Sequence, residues 1–310
     1  MKKGLQLAAG IAVVLTSACA FAESTEGVTR STAWTWSGYI TGPLFCLALL
    51  YVAGLLRMLR RAAQLRPLPV LCFACGWLSL FLALDSPVHE ISEQLFWVHM
   101  TQHEILMLIS APLLILSQPA APVLFALPEH WRVPVADIVK ANIINRAWLV
   151  ISTPVAAWLL HAAALWVWHA PKLFDATLES EWVHAAQHIS FLGTALLFWW
   201  TLLHKHSGHL GYGGAILYVF TTAVHTSVLG ALLTFAPHAW YAPYAQTAPF
   251  WGLSSLQDQQ IGGLVMWVPA GTLLTIVALI LLAKWMSHSD TRWEYTRAAA
   301  LIRASQGAVE

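Results

Sequence analysis

The 310-residue chain is 58% hydrophobic and only 10% charged, with a formal net charge of +1 and a mean hydropathy of +0.63. That composition excludes a soluble globular domain, and the shortage of charge together with the excess of aliphatic residues excludes a disordered chain. Nothing in a near-zero charge points to nucleic acid as a partner.

The first 22 residues read as a signal peptide: Lys2 and Lys3 form the basic start, Leu5 to Ser17 the apolar stretch, and Ala20-Phe21-Ala22 the small-x-small cleavage rule. The polar Glu23-Ser24-Thr25-Glu26 follows at once, so cleavage is expected, leaving 23–36 as a short extracytoplasmic segment. Seven apolar runs of bilayer length follow, near 37–59, 68–86, 95–117, 148–169, 182–203, 212–235 and 261–285. They predict an all-α polytopic bundle over 37–286 and a cytoplasmic, mixed-charge tail over 287–310. Tryptophans mark several run ends (Trp36, Trp97, Trp148, Trp168, Trp182, Trp285), as interfacial belts do. Pro112, Pro154 and Pro269 fall inside runs, which packed membrane helices tolerate.

With the mature N-terminus outside, the loops alternate. Arg57, Arg60, Arg61, Arg66, Arg132, Lys140, Arg146, Lys205, Lys284, Arg292, Arg297 and Arg303 all fall inside, and only Arg30 and Lys172 outside. The positive-inside rule supports both the span count and a bacterial plasma membrane protein with a cytoplasmic C-terminus. Outer loops carry Asp85, Glu90, Glu93, Asp175, Glu179, Glu181 and Asp258 instead. The four cysteines are too few and too apolar in setting for a disulfide framework. Cys72 and Cys75 read as packing residues toward the cytoplasmic end.

Chemistry concentrates in a repeated phrase. Trp97-Val98-His99-Met100-Thr101-Gln102-His103 and Trp182-Val183-His184-Ala185-Ala186-Gln187-His188 are both W-V-H-x-x-Q-H at the outer start of an apolar run. Histidines at i and i+4 share one helix face. Polar groups in lipid are costly and mark function. His99, His103, His184 and His188 are thus expected at matching depth near the outer face, with His89, His169 and Asp258 at the same level as accessory ligands or access groups. Gln102 and Gln187 are placed to orient imidazoles. Glu104, adjacent to His103, needs a partner or a proton.

Imidazole suits copper, zinc, iron or nickel, and Met100, Met107 or Met266 can tilt a site toward copper(I). The alternatives are an interhelical hydrogen-bond network, or a bis-histidine haem b using pairs such as His99 with His184 or His103 with His188. A copper transport or resistance protein would need ligands continuing toward the cytoplasm, where only His161, His225 and Cys72/Cys75 are candidates. No zinc-protease, phosphate-loop or dinucleotide signature is present, so no catalytic residues are assigned.

Several motifs in order resemble the CtaG family: Asp85-Ser86-Pro87-Val88-His89, the two histidine phrases, Pro112-Leu113-Leu114, Trp166-Val167-Trp168-His169-Ala170-Pro171 and Asp258-Gln259-Gln260-Ile261-Gly262-Gly263-Leu264-Val265-Met266-Trp267. The resemblance runs from about Asp85 to Trp267. It implies a non-enzymatic, multi-pass assembly protein for cytochrome c oxidase of the caa3 type. Its expected partners are the oxidase subunits and the lipid bilayer, and its expected cargo is copper. A single-pass copper chaperone that shares the CtaG label uses a cysteine pair in a soluble domain. This chain has neither, so that mechanism does not transfer.

Overall fold

The computed structural model describes residues 34, 38–61, 64–204 and 210–307. The expected signal peptide, all of 23–36 except Trp34, and His206 and His209 lie outside the described residues. Among those described, regular structure is helical throughout. Six helices are long and apolar enough to cross a membrane, with a seventh span if one bent pair is counted together.

In chain order, α1 (Gly38–Arg60) and α2 (Pro67–Asp85) form a hairpin. The short α3 (Pro87–Ser92) leads into α4 (Phe96–Glu104), a π-helical segment (Ile105–Ser110) and α5 (Ala111–Leu116), which together make one span. Short helices α6 (Ala120–Ala126) and α7 (Glu129–Val139) precede the bent pair α8 (Asn142–Ile151) and α9 (Pro154–Trp168). Then come α10 (Pro171–Glu179), α11 (Glu181–Leu203), α12 (Gly211–Thr234), the single-turn α13 (Tyr244–Thr247) and α14 (Ser255–Gly307). The backbone of α14 stays helical from the membrane span through 287–307.

Two of the prolines have clear structural effects. Proline lacks an N–H and disfavours helix in the residue before it. Thr153 is accordingly extended, its hydroxyl accepts from the Ala156 N–H at 3.4 Å, and α8 meets α9 at 72°. The run 148–169 is therefore not a straight span; it breaks at Ser152–Thr153. At Pro112 the response differs. In a π-helix each carbonyl pairs with the N–H five residues on, as Leu106 does with Ala111. Met107 would need the missing N–H of Pro112. Trp199 Nε1–H from α11 supplies it at 2.8 Å.

The bundle has two chemically distinct ends. At one, Arg57 donates to the carbonyls of Phe125 and Ala126, Arg132 to those of Phe125 and Leu127, and Arg61 pairs with Glu129. At the other sit His89, His99, His169 and His184. A loop over 236–254 covers that end, tied down by Gln259, whose Oε1 accepts from Trp240 N–H (2.6 Å) and whose Nε2 donates to Leu233 O (3.3 Å).

Close backbone approach fixes α14 against its neighbours. A Cβ on Gly262 would run into the Phe96 ring and sit 3.2 Å from Trp97 Cα, and one on Gly263 would lie 2.7 Å from Thr234 N and 2.8 Å from Gly230 O. Gly213 has only an ordinary 3.7 Å neighbour. Gly262→Ala is expected to destabilise by about 1–3 kcal/mol through overpacking, whereas Gly213→Ala is neutral or mildly stabilising. Thermal melts of the two variants in detergent check the difference.

Candidate metal centre

Six histidines from four elements converge beneath the covering loop. His99 and His103 lie one turn apart on α4 with ring centroids at 4.4 Å; His184 and His188 do the same on α11 at 4.3 Å. Across the two helices, His99 and His184 stack at 5.0 Å and His103 meets His188 at 5.3 Å. His89 from α3 stacks on His184 at 5.2 Å, and His169, the C-cap of α9, lies 6.4 Å from His103. All six are buried. Phe174 and Phe191 wall the group, at 4.9 Å from His99 and 4.6 Å from His103. The two repeated phrases thus face each other at one level, as i,i+4 spacing on facing helices requires.

The hydrogen bonds reveal which nitrogens are free to accept a cation. Gln187 Oε1 accepts from His99 Nε2–H at 3.1 Å, which leaves Nδ1 as the lone-pair nitrogen, 3.3 Å from the Tyr244 hydroxyl. That hydroxyl donates to Ser92 O at 3.0 Å. His169 Nδ1–H donates to Leu165 O at 2.6 Å, so its Nε2 carries the lone pair. His169 Nε2, His184 Nε2, His188 Nε2 and both nitrogens of His103 are buried without a partner. A buried polar atom left unmatched costs about 1–3 kcal/mol, and five such atoms in one cluster fit a bound ion.

Ligand atoms of His99, His103 and His188 all lie within 4.8 Å of one another, a spacing one metal ion can bridge. A second grouping joins His89, Glu93 and His184 at the same limit. The first is the stronger set. Gln102 Nε2 donates to Ala83 O (2.6 Å) and to His89 Nδ1 (3.2 Å), so a neutral His89 carries its proton on Nε2 and presents a donor rather than a lone pair. Each motif glutamine therefore holds a histidine of another element, Gln187 reaching His99 and Gln102 reaching His89.

Around His89 the surface is acidic. Burial pushes its pKa below the usual 6.5, against the opposing pull of Glu90, Asp85 and Glu181. Burial, with Glu90 and Glu181 nearby, raises that of Glu93. The carboxylates around His89 are a suitable first contact for a cation.

Asp258 sits elsewhere. Its two oxygens accept the N–H groups of Phe96 (2.8 Å) and Trp97 (3.0 Å), the first turn of α4, and it is fully buried doing so. It does the work of an N-cap from a different helix. Nothing in the sequence distinguishes this from a ligand, because both need a carboxylate at the same depth. Of the other sequence candidates, His225 lies edge-on to Trp158 at 5.4 Å, away from the cluster. Cys72 is buried while Cys75 is exposed, so the pair does not form one buried site.

Asp258→Ala is expected to lower the melting midpoint by the equivalent of about 1–2 kcal/mol, and Asp258→Asn by less, since the amide oxygen still accepts. A midpoint equal to wild type in Asp258→Ala contradicts the capping role.

A family model described as cytochrome c oxidase caa3 assembly factor matches residues 49–288. Similar proteins from Mycobacterium bovis and Mycobacterium tuberculosis, each described as uncharacterized, are 26% identical over 267 residues, covering 84% of this chain and 40% of theirs. A Mycobacterium leprae protein is 26% identical over 275 residues, covering 82% and 40%. The chain therefore spans about 40% of the length of the curated relatives it matches. No solved structure matches.

Proposed function

The chain belongs to the caa3 CtaG family of cytochrome c oxidase assembly factors, and from that membership and the imidazole cluster we propose that it binds copper and supplies it to the oxidase. The protein is then a non-catalytic factor of the bacterial plasma membrane. Its histidine end faces outward and its arginine end faces the cytoplasm, in keeping with the positive-inside rule. The observation that carries the reading is the set of unpartnered nitrogens on His103, His169, His184 and His188.

His99, His103 and His188 are the inner ligands in this reading, with His184 and His169 within reach. Glu93 and Glu90, beside His89, receive the cation. Asp258 contributes indirectly, by holding the start of α4. Copper bound by neutral imidazoles would be transferable rather than locked, as delivery to a partner subunit requires.

The ring spacing favours an ion over haem b. His99 and His184, one of the cross-bundle pairs that a bis-histidine haem would use, stack directly at 5.0 Å, and the other pair meets at 5.3 Å. Neither separation leaves a slot for a porphyrin plate.

Purified full-length protein, loaded with copper(I) under reductant, is expected to retain the metal and show no Soret band. His103→Ala and His188→Ala should each weaken copper binding by about 100-fold or more, and Gln187→Ala by about 10–100-fold through loss of ligand orientation. Copper content in the two histidine variants equal to wild type, or a Soret band in the untreated protein, overturns the assignment.

Metal ligation requires deprotonated nitrogens, so acid releases the ion. Burial holds His89 below 6.5, so its uncharged form persists through neutral pH and is lost only under more acidic conditions. Copper retention is expected to be flat from alkaline to neutral pH and to fall on acidification. Retention measured across a pH series by elemental analysis checks this.

A further inference from the structure

Beyond the cluster, toward the arginine end, lies a small cavity of about 30 Å³ lined by Glu104, Met107, His161, Phe198, Thr226 and Met266, among others. A water-sized occupant needs about 10–15 Å³ by the same measure, so the space is large enough for one ion. Its donors come from three elements: α4 with the following π-segment, α9 and α14.

Each donor is free to bind. Glu104 Oε2 is buried with no partner, an expensive state for a carboxyl group within a membrane bundle. Thr194 gives its hydroxyl proton to Ser190 O at 2.8 Å, so at 3.1 Å it accepts from His161 Nδ1–H. That fixes the tautomer and leaves His161 Nε2 with the lone pair. Met107 and Met266 are both buried, at 6% and 3% exposure. The backbone of Met107 is held by the Trp199 bond to its carbonyl. The threonines offer less. Thr226 donates to Thr222 O at 2.9 Å and Thr222 to Tyr218 O at 2.8 Å, and their hydroxyl oxygens are hard donors that a soft ion disfavours.

Two thioethers and an imidazole lone pair suit a soft ion such as copper(I). One carboxylate neutralises one positive charge, so a monovalent ion leaves the buried site neutral, whereas a divalent ion strands a charge in low dielectric. The histidine cluster has no such anion among its inner ligands. We propose that Glu104, Met107, His161 and Met266 form a second, deeper binding site for a soft monovalent cation of the copper(I) class. It shares no ligand with the histidine cluster and stands whether or not that cluster binds metal.

The test uses purified full-length protein in detergent, with silver(I) titrated by calorimetry without reductant and copper(I), kept reduced, examined by X-ray absorption. Met107→Leu combined with Met266→Leu conserves volume, so the fold should survive; circular dichroism and the melting midpoint verify it. The expected result is loss of about one equivalent of silver(I) in this double variant, with disappearance of sulfur scattering around copper. Glu104→Gln should weaken the same site by about tenfold through loss of the neutralising charge. In His184→Ala the sulfur scattering should persist, which separates this site from the cluster. Unchanged silver(I) stoichiometry and unchanged sulfur scattering in the folded double variant overturn the proposal. A wild-type spectrum with nitrogen and oxygen neighbours alone overturns it too, the cavity then holding water.

Discussion

Everything at the histidine end depends on holding neutral imidazole lone pairs together where water cannot reach them. Six rings pack within 4.3–6.4 Å of a neighbour. Hydrogen bonding engages one nitrogen each of His89, His99 and His169, but neither nitrogen of His103, nor the Nε2 atoms of His169, His184 and His188. In an ordinary core such groups are matched. Leaving several unmatched in one cluster is a state that a cation would relieve and that no group among the described residues does. The apolar walls of Phe174 and Phe191 strengthen the preference, because electrostatic attraction grows as the dielectric falls.

The surrounding scaffold serves to keep those rings in place. Asp258 caps α4 from α14, and Gly262 of the same helix lets α14 come up against Phe96 and Trp97, the two residues whose N–H groups Asp258 accepts. One turn of α14 therefore sets the position of the helix that carries His99 and His103. Gln259, next in sequence, ties the covering loop through Trp240, and Tyr244 from that loop reaches Ser92 and His99. The π-segment after Glu104 widens the helix just past the second histidine, and Trp199 of α11 repairs the carbonyl that Pro112 leaves without a donor. That bond links the two histidine-bearing helices about one turn past His103.

Much of this was legible in the sequence, for definable reasons. Apolar runs report spans because lipid demands internally satisfied backbone, and six of the seven expected runs appear as long helices at nearly the expected bounds. The i,i+4 histidine phrases report a shared face because helical geometry leaves no other choice. The fourth run was less legible. Composition alone does not tell a tolerated proline from one at the first turn of a new helix, and Pro154 proved to be the second kind. The π-segment at Pro112 was hidden for the same reason. Asp258 was placed at the right depth, but depth does not separate a ligand from a cap; only the two backbone bonds do. The difference between His89 and His169 was equally invisible, since it rests on which ring nitrogen each neighbour occupies.

The most direct measurement is the thermal stability of the metal-free protein against the same protein with copper(I) added. An ion that binds only the folded state raises the midpoint in proportion to the logarithm of its concentration over the dissociation constant. Relief of the unmatched imidazoles predicts a midpoint that climbs steadily with added copper(I) in wild type, and a much smaller climb once two of the rings are removed together, as in His103→Ala with His184→Ala. A wild-type midpoint indifferent to copper(I) across the accessible range would contradict the account.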